Sequence, residues 1–199
     1  GENWTTCELD KIYTADYYYV KFFDSDNGVI VCGYAKSNDT NESSRIYSTS
    51  NGGESWDIVG SGPATNIIKG VVYVSSDVGF FCYDYVEGMD SNLYKTDDGG
   101  KTFAKVMLEE QELDSSAANP QGQETETKTD SGKNGADSSE QLRWGDVYKE
   151  ALTPVVDSTG IITIYLTQGK NAVYNDGKTA AKYQSSDKGS TWKYIGQVE

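Results

Sequence analysis

Short runs of β-branched and aromatic residues alternate with clusters of Asp, Asn, Ser and Gly along most of the chain, and no stretch sustains a helical repeat of apolar positions. One order recurs. Phe22-Phe23 leads through Asp24-Ser25-Asp26-Asn27-Gly28 into Val29-Ile30-Val31-Cys32, and Tyr73-Val74 leads through Ser75-Ser76-Asp77-Val78-Gly79 into Phe80-Phe81-Cys82. More loosely, Val155-Val156 leads through Asp157-Ser158-Thr159-Gly160 into Ile161-Ile162. Each is a strand, a polar turn and a second strand. A third strand-like stretch follows each time, Arg45-Ile46-Tyr47-Ser48, Asn92-Leu93-Tyr94-Lys95 and Ala181-Lys182-Tyr183-Gln184. The pattern predicts short antiparallel strands in repeating groups.

An eight-residue turn closes each group. It reads Thr49-Ser50-Asn51-Gly52-Gly53-Glu54-Ser55-Trp56, then Thr96-Asp97-Asp98-Gly99-Gly100-Lys101-Thr102-Phe103, then Ser185-Ser186-Asp187-Lys188-Gly189-Ser190-Thr191-Trp192. The opening hydroxyl and the Asn or Asp suit bonds to backbone N–H groups two residues on, and the central Gly53, Gly100 and Gly189 suit the positive φ of a tight hairpin. Ser55, Thr102 and Thr191 precede an aromatic that starts the next strand and can fold back over the hairpin.

This turn resembles the Asp-box (BNR) repeat of sialidases, sortilin-like receptors, xyloglucanases and photosystem II assembly-factor-like propellers. The resemblance implies an all-β fold, a β-propeller built of four-stranded antiparallel blades. It also implies that each box joins the third and fourth strands of its blade, away from any active site, so that the box residues are structural. The expected blades span about 11–60, 67–108 and 144–199. Gly1-Glu2-Asn3-Trp4 matches the tail of a box, and Trp4 lies 52 residues before Trp56, close to the 47 from Trp56 to Phe103. Trp4 to Leu9 is therefore expected as a stray fourth strand beside three complete blades, the chain being a partial propeller or part of a larger ring. Such a fragment is expected to self-associate through its blade edges.

The spacing from Phe103 to Trp192 is 89 residues. Composition assigns the excess to an insertion. Residues 109–142 hold no aromatic, Val or Ile, and nine acidic residues against Lys128 and Lys133, so they read as a solvated acidic low-complexity arm. That arm carries half of the chain's net charge of −14. With no basic stripe, nucleic acid and anionic membrane surfaces are not expected partners, and no apolar run is long enough to span a bilayer. Cys7, Cys32 and Cys82 cannot all pair within one chain, and they are expected as buried free thiols, with Cys32 and Cys82 at near-equivalent strand positions. The sequons at Asn3, Asn38 and Asn41 lie in Ser/Thr-rich surroundings and decide little.

The chain has no His, which removes the commonest general base and metal ligand. The resemblance to sialidases would require three substrate-gripping arginines, whereas only Arg45 and Arg143 are present. Asp24, Asp26 and Asp77 fall in predicted turns rather than in a carboxylate pair, and Asp24 to Gly28 departs from an EF-hand loop. No catalytic, cofactor-binding or metal-binding residue is assigned, and no cofactor is expected. Fifteen Tyr and four Trp are the positive hint of binding, and Tyr17, Tyr19, Tyr83 and Tyr85 are the candidate ligand-contact aromatics. The sequence reads as a non-catalytic extracellular or cell-surface module recognising protein or glycan. The alternative is a glycoside hydrolase propeller fragment whose catalytic residues lie outside this chain.

Overall fold

Alternating apolar residues pair into three successive sheets, each an antiparallel meander in which neighbouring strands follow one another along the chain. The computed structural model describes residues 6–9, 15–34, 44–63, 66–113, 143–169 and 174–199. Blade 1 runs in order through β1 (Tyr17–Phe22), β2 (Gly28–Gly33), β3 (Ser44–Thr49) and β4 (Asp57–Ser61). Blade 2 runs through β5 (Ile68–Tyr73), β6 (Gly79–Tyr83), β7 (Leu93–Thr96) and β8 (Ala104–Lys105).

Blade 3 begins after a single helical turn, α1 (Trp144–Val147). Its strands are β9 (Glu150–Ala151), β10 (Val155–Val156), β11 (Ile162–Thr167), β12 (Ala180–Ser185) and β13 (Lys193–Val198). Both β9 and β10 pair with β11, so together they form one first strand interrupted around Pro154, which has no N–H to give the ladder. Three consecutive four-stranded meanders stacked in chain order are the blade architecture of a β-propeller.

The core lies between the sheets. Val29, Val31 and Ile46 of blade 1 meet Val71, Tyr73 and Phe81 of blade 2. Phe80, Cys82 and Leu93 on the other face of blade 2 meet Ala151, Ile162 and Ile164 of blade 3. Every residue of β6 is therefore buried, whereas β1 alternates half-buried and exposed positions. Each large apolar side chain removed from water between sheets contributes roughly 1.5–3 kcal/mol.

Several glycines set how closely the sheets approach. A Cβ on Gly33 of blade 1 would fall on Ile68 Cγ2 of blade 2, and one on Gly70 of blade 2 would fall on the Thr153 side chain of blade 3. Tyrosines fasten the first strands of blades 1 and 2 together, as the N–H groups of Val71 and Tyr73 donate to Tyr17 Oη and Tyr19 Oη at 3.1 Å each. Lys21 Nζ donates to the Tyr73 carbonyl.

Residues 6–9 form no strand, and Trp4 lies outside the described residues, so no fourth strand stands at 4–9 among the residues described. Leu9 instead packs with Ala15 over Cys32, Tyr34, Tyr47 and Trp56, on the face of blade 1 turned away from blade 2. Residues 114–142 of the acidic insertion lie outside the described residues, but its first five do not follow the expectation of a wholly solvated arm. Leu113 packs into the cluster around Trp144, and Tyr183 Oη donates to the Glu109 carbonyl at 2.7 Å. No helix among the described residues is long and apolar enough to cross a membrane.

The glycine contacts give a steric prediction. Gly33→Ala is expected to destabilise by about 1–3 kcal/mol through overpacking, and Ile68→Ala by about 2–5 kcal/mol through a cavity. In the double variant the new methyl enters the space Ile68 vacates, so denaturant melts should give a total below the sum of the two, with a coupling of about 0.5–3 kcal/mol. Strict additivity would show that Gly33 and Ile68 do not meet.

Candidate functional site

Each eight-residue turn joins the third strand of its blade to the fourth, and in all three the same hydrogen bonds recur. The opening hydroxyl accepts from the N–H of the central glycine, at 3.0 Å in Thr49–Gly53 and 2.8 Å in both Thr96–Gly100 and Ser185–Gly189. It donates to the carboxylate or amide oxygen two residues on, at 2.8 Å to Asn51, 2.8 Å to Asp98 and 2.7 Å to Asp187. That oxygen also accepts the N–H of Ser55, Thr102 or Thr191. In the second and third turns the other carboxylate oxygen takes the Thr102 or Thr191 hydroxyl at 2.6 Å. In the first turn the polarity reverses, Asn51 Nδ2 donating to Ser55 Oγ.

These bonds explain the charge state of the aspartates. The Thr102 hydroxyl holds the Asp98 carboxyl far below the ordinary carboxylate range, helped by the Thr102 N–H, and the Thr191 hydroxyl and N–H do the same for Asp187. Asp24 is lowered by Asn27, whose amide and backbone N–H it accepts in the β1–β2 turn, and Asp157 by Thr159 in the turn after β10. Carboxylates engaged in this way are turn elements. The box turns are further tied to the first hairpin of their own blade, as Gly52 N–H donates to the Asp26 carbonyl and Gly99 N–H to the Asp77 carbonyl, 2.8 Å each.

The central glycines have φ of 90° (Gly53), 108° (Gly100) and 77° (Gly189). Gly100 and Gly189 also receive the preceding blade, since a Cβ there would stand 2.9 Å from Ile46 Cδ1 and 2.5 Å from Phe80 Cζ respectively. Trp56, Phe103 and Trp192 are half-buried, Trp56 beside Gly53 and Trp192 beside Gly189. Trp192 meets Phe80 of blade 2 edge-on at 6.0 Å, Phe103 meets Phe81 at 4.9 Å, and Trp56 meets Phe22 of its own blade at 5.9 Å. Lys188 holds the left-handed position, φ 58°, that Gly52 and Gly99 hold in the other two turns.

The four candidate contact aromatics separate. Tyr17 and Tyr19 are engaged between blades 1 and 2, and burial raises both hydroxyl pKa values. Tyr83 is fully buried, its hydroxyl 3.2 Å from Ser44 Oγ. Tyr85 alone of the four lines a cleft, a space of about 390 Å³ between blades 2 and 3 at the end opposite the boxes. Asn92 is buried beneath it and acts as a length of strand edge. Its Nδ2 donates to the carbonyls of Tyr83 (2.8 Å) and Ala151 (2.9 Å), while Ala151 N–H donates to its Oδ1 at 2.9 Å. Sequence reasoning missed this pin, because the other two blades carry Arg45 and Ala181 at the corresponding place and the repeat gives no signal there.

Cys32 and Cys82 are buried free thiols and Cys7 is exposed, contrary to its expected burial. The near-equivalence of Cys32 and Cys82 also fails in a specific way. Gly28 pairs with Thr49 as Gly79 pairs with Thr96, so Cys82 matches Val31 and is one residue out of step with Cys32. A one-residue offset turns a side chain to the other face. Cys82 accordingly faces blade 3, where burial pushes its thiol up to about 11, and Cys32 faces Leu9. Arg45 is buried on β3 and Arg143 is exposed before α1, in different blades. Among the described residues no group of three or more Cys, Asp or Glu side chains is placed to hold a metal ion. The sequons lie outside the described residues.

The shifts have a definite sign. Because the Asp98 and Asp187 pKa values are lowered on folding, their contribution is present above the unfolded carboxyl value of about 3.9 and is lost as pH falls toward the folded values. Melting temperature from pH 7 to pH 2.5 should fall less steeply in an Asp98→Asn, Asp187→Asn variant than in the parent, since Asn51 shows that an amide sustains the turn; parallel curves would contradict this. Thr96→Val should cost about 1–3 kcal/mol by leaving Gly100 N–H buried without an acceptor. Lys188→Gly relieves a left-handed side chain and is expected to raise stability by up to about 1 kcal/mol.

No family model matches the chain, and no curated protein does. Among solved structures the chain is similar to the GH74 enzyme of Niastella koreensis, with 17% identity, 83% of this chain and 19% of that chain covered, and a TM-score of 0.40. It is also similar to YCF48 bound to a D1 peptide, with 15% identity, 98% of this chain and 72% of that one covered, and a TM-score of 0.36. The chain thus spans about a fifth of the first of these proteins.

Proposed function

We propose that the chain is an Asp-box propeller segment serving as a non-catalytic binding or scaffold module, extracellular or at the cell surface, for a protein or glycan partner. The observation that carries this reading is the division of labour among the polar groups. The aspartates with the most strongly lowered pKa values, Asp98 and Asp187, are each held by the hydroxyl and backbone N–H of their own turn. The cleft between blades 2 and 3 offers what recognition needs, with aromatic and apolar walls and a few polar groups around them.

The test presents the purified chain to immobilised glycan and peptide arrays and, in parallel, to sialoside and β-glucan substrates. Saturable binding without turnover is expected. Turnover abolished by substituting one carboxylate of this chain would overturn the proposal, as would the absence of saturable binding to either array.

A further inference from the structure

The cleft between blades 2 and 3 has a chemistry that narrows what it would take, and the narrowing rests on the binding-module reading above. Its inner wall is formed by Trp144 and Tyr148, each almost wholly buried, with ring centroids 4.6 Å apart and planes tilted by 50°. Four carboxylates line it, Glu87, Asp90, Glu110 and Asp146, against one lysine, Lys149. Lys149 is already paired with Glu87 at 2.9 Å, and Asp90 is paired with Lys105 at 2.8 Å. Glu110 and Asp146 make no salt bridge among the described residues.

These two charges come from segments that are distant in sequence and meet at α1. Asp146 stands on α1, and Glu110 reaches over that turn from the segment following β8. Gly145 makes the approach feasible, since a Cβ there would stand 2.7 Å from Glu110 Oε1. The negative field is felt locally, because the Glu87 hydrogen bond and, more weakly, Asp146 raise the Lys149 pKa.

Met107, which is 64% exposed, adds apolar surface to the same cleft. Exposed carboxylates beside an apolar wall together suit a cation carried on an aliphatic stem. A neutral sugar would gain nothing from the charge of Glu110 and Asp146, and an anion would be repelled.

We propose that this cleft receives the lysine or arginine side chain of a peptide segment in a partner protein. The stem lies against Met107, and the charged head is met by Glu110 and Asp146. Asn92 below is fully engaged with Tyr83 and Ala151 and contributes the rigidity of the base.

The experiment uses the full chain and capped pentapeptides, Gly-Gly-X-Gly-Gly, with X as Arg, Lys, Ala or Glu, titrated by calorimetry at low and high salt. The Arg and Lys peptides are expected to bind at least tenfold more tightly than the Ala peptide, with affinity falling as salt rises, and the Glu peptide is expected not to bind. Glu110→Gln with Asp146→Asn, both exposed side chains, should weaken the Arg and Lys peptides at least tenfold while leaving the melting temperature within a degree or two of the parent. Gly145→Ala, which displaces the Glu110 carboxylate without removing it, should weaken them in the same direction.

Equal binding of the Ala and Arg peptides, or unchanged binding by the double variant, would overturn the proposal. Agmatine binding as tightly as the Arg peptide would overturn the peptide part, making the site one for small cations. If array ligands still bind the double variant as they bind the parent, this inference fails and the module reading stands. If the array shows no ligand at all, the module reading itself fails.

Discussion

How closely one sheet can approach the next is the constraint on which the rest of this structure depends. A four-stranded meander of two to six residues per strand has too little apolar area on either face to fold alone, so each blade must bury its faces against its neighbours. The chain achieves this by omitting side chains where sheets would collide. Gly33 admits Ile68, Gly70 admits Thr153, Gly100 admits Ile46 and Gly189 admits Phe80. At the last two sites the same glycine must also take a positive φ inside a tight turn. Turn geometry and inter-blade packing thus fall on one residue in each of these two turns.

The same economy accounts for the aspartates. In a chain this acidic, carboxylates are a poor guide to chemistry, and those with the largest shifts are bound by their own turns. Groups at the other end of the blades differ in kind. There the loops after β6 and β8 and the short α1 bring Tyr85, Glu110, Trp144 and Asp146 around a cleft, although they are distant in sequence. Turn chemistry is local and repeats with the blades; the cleft is assembled from non-local segments.

That contrast also decides what was legible in the sequence. The strands around Tyr47, Tyr94 and Tyr183 and the turns between third and fourth strands were readable, because alternation and turn residues act over a few positions. At the N-terminus, residues 6–9 do not form the expected strand. Spacing from a box-like motif names no sheet for the following residues to join, and residues 6–9 pair with none while Leu9 packs on blade 1. The opposite facing of Cys32 and Cys82 escaped a reading by spacing from Gly28 and Gly79, since one residue of offset reverses a strand position. Asn92 escaped because its partners, Tyr83 and Ala151, are set by tertiary register. Glu110 stands at the start of the acidic insertion and Trp144 just after it, and the composition of that stretch gave no sign that either residue lines a cleft.

The central claim, that sheet-to-sheet contact at the box glycines makes the blades one cooperative unit, is tested most directly by native-state hydrogen exchange on a Gly100→Ala variant compared with the parent. The added methyl meets Ile46 of blade 1 although the residue belongs to blade 2. The account predicts that protection falls together for the amides of β2 and β3 in blade 1 and of β5, β6 and β7 in blade 2, by the same free energy. Loss confined to the amides of residues 96–103, with β2 and β3 unchanged, would contradict it and show each blade to be stable without the approach of the next.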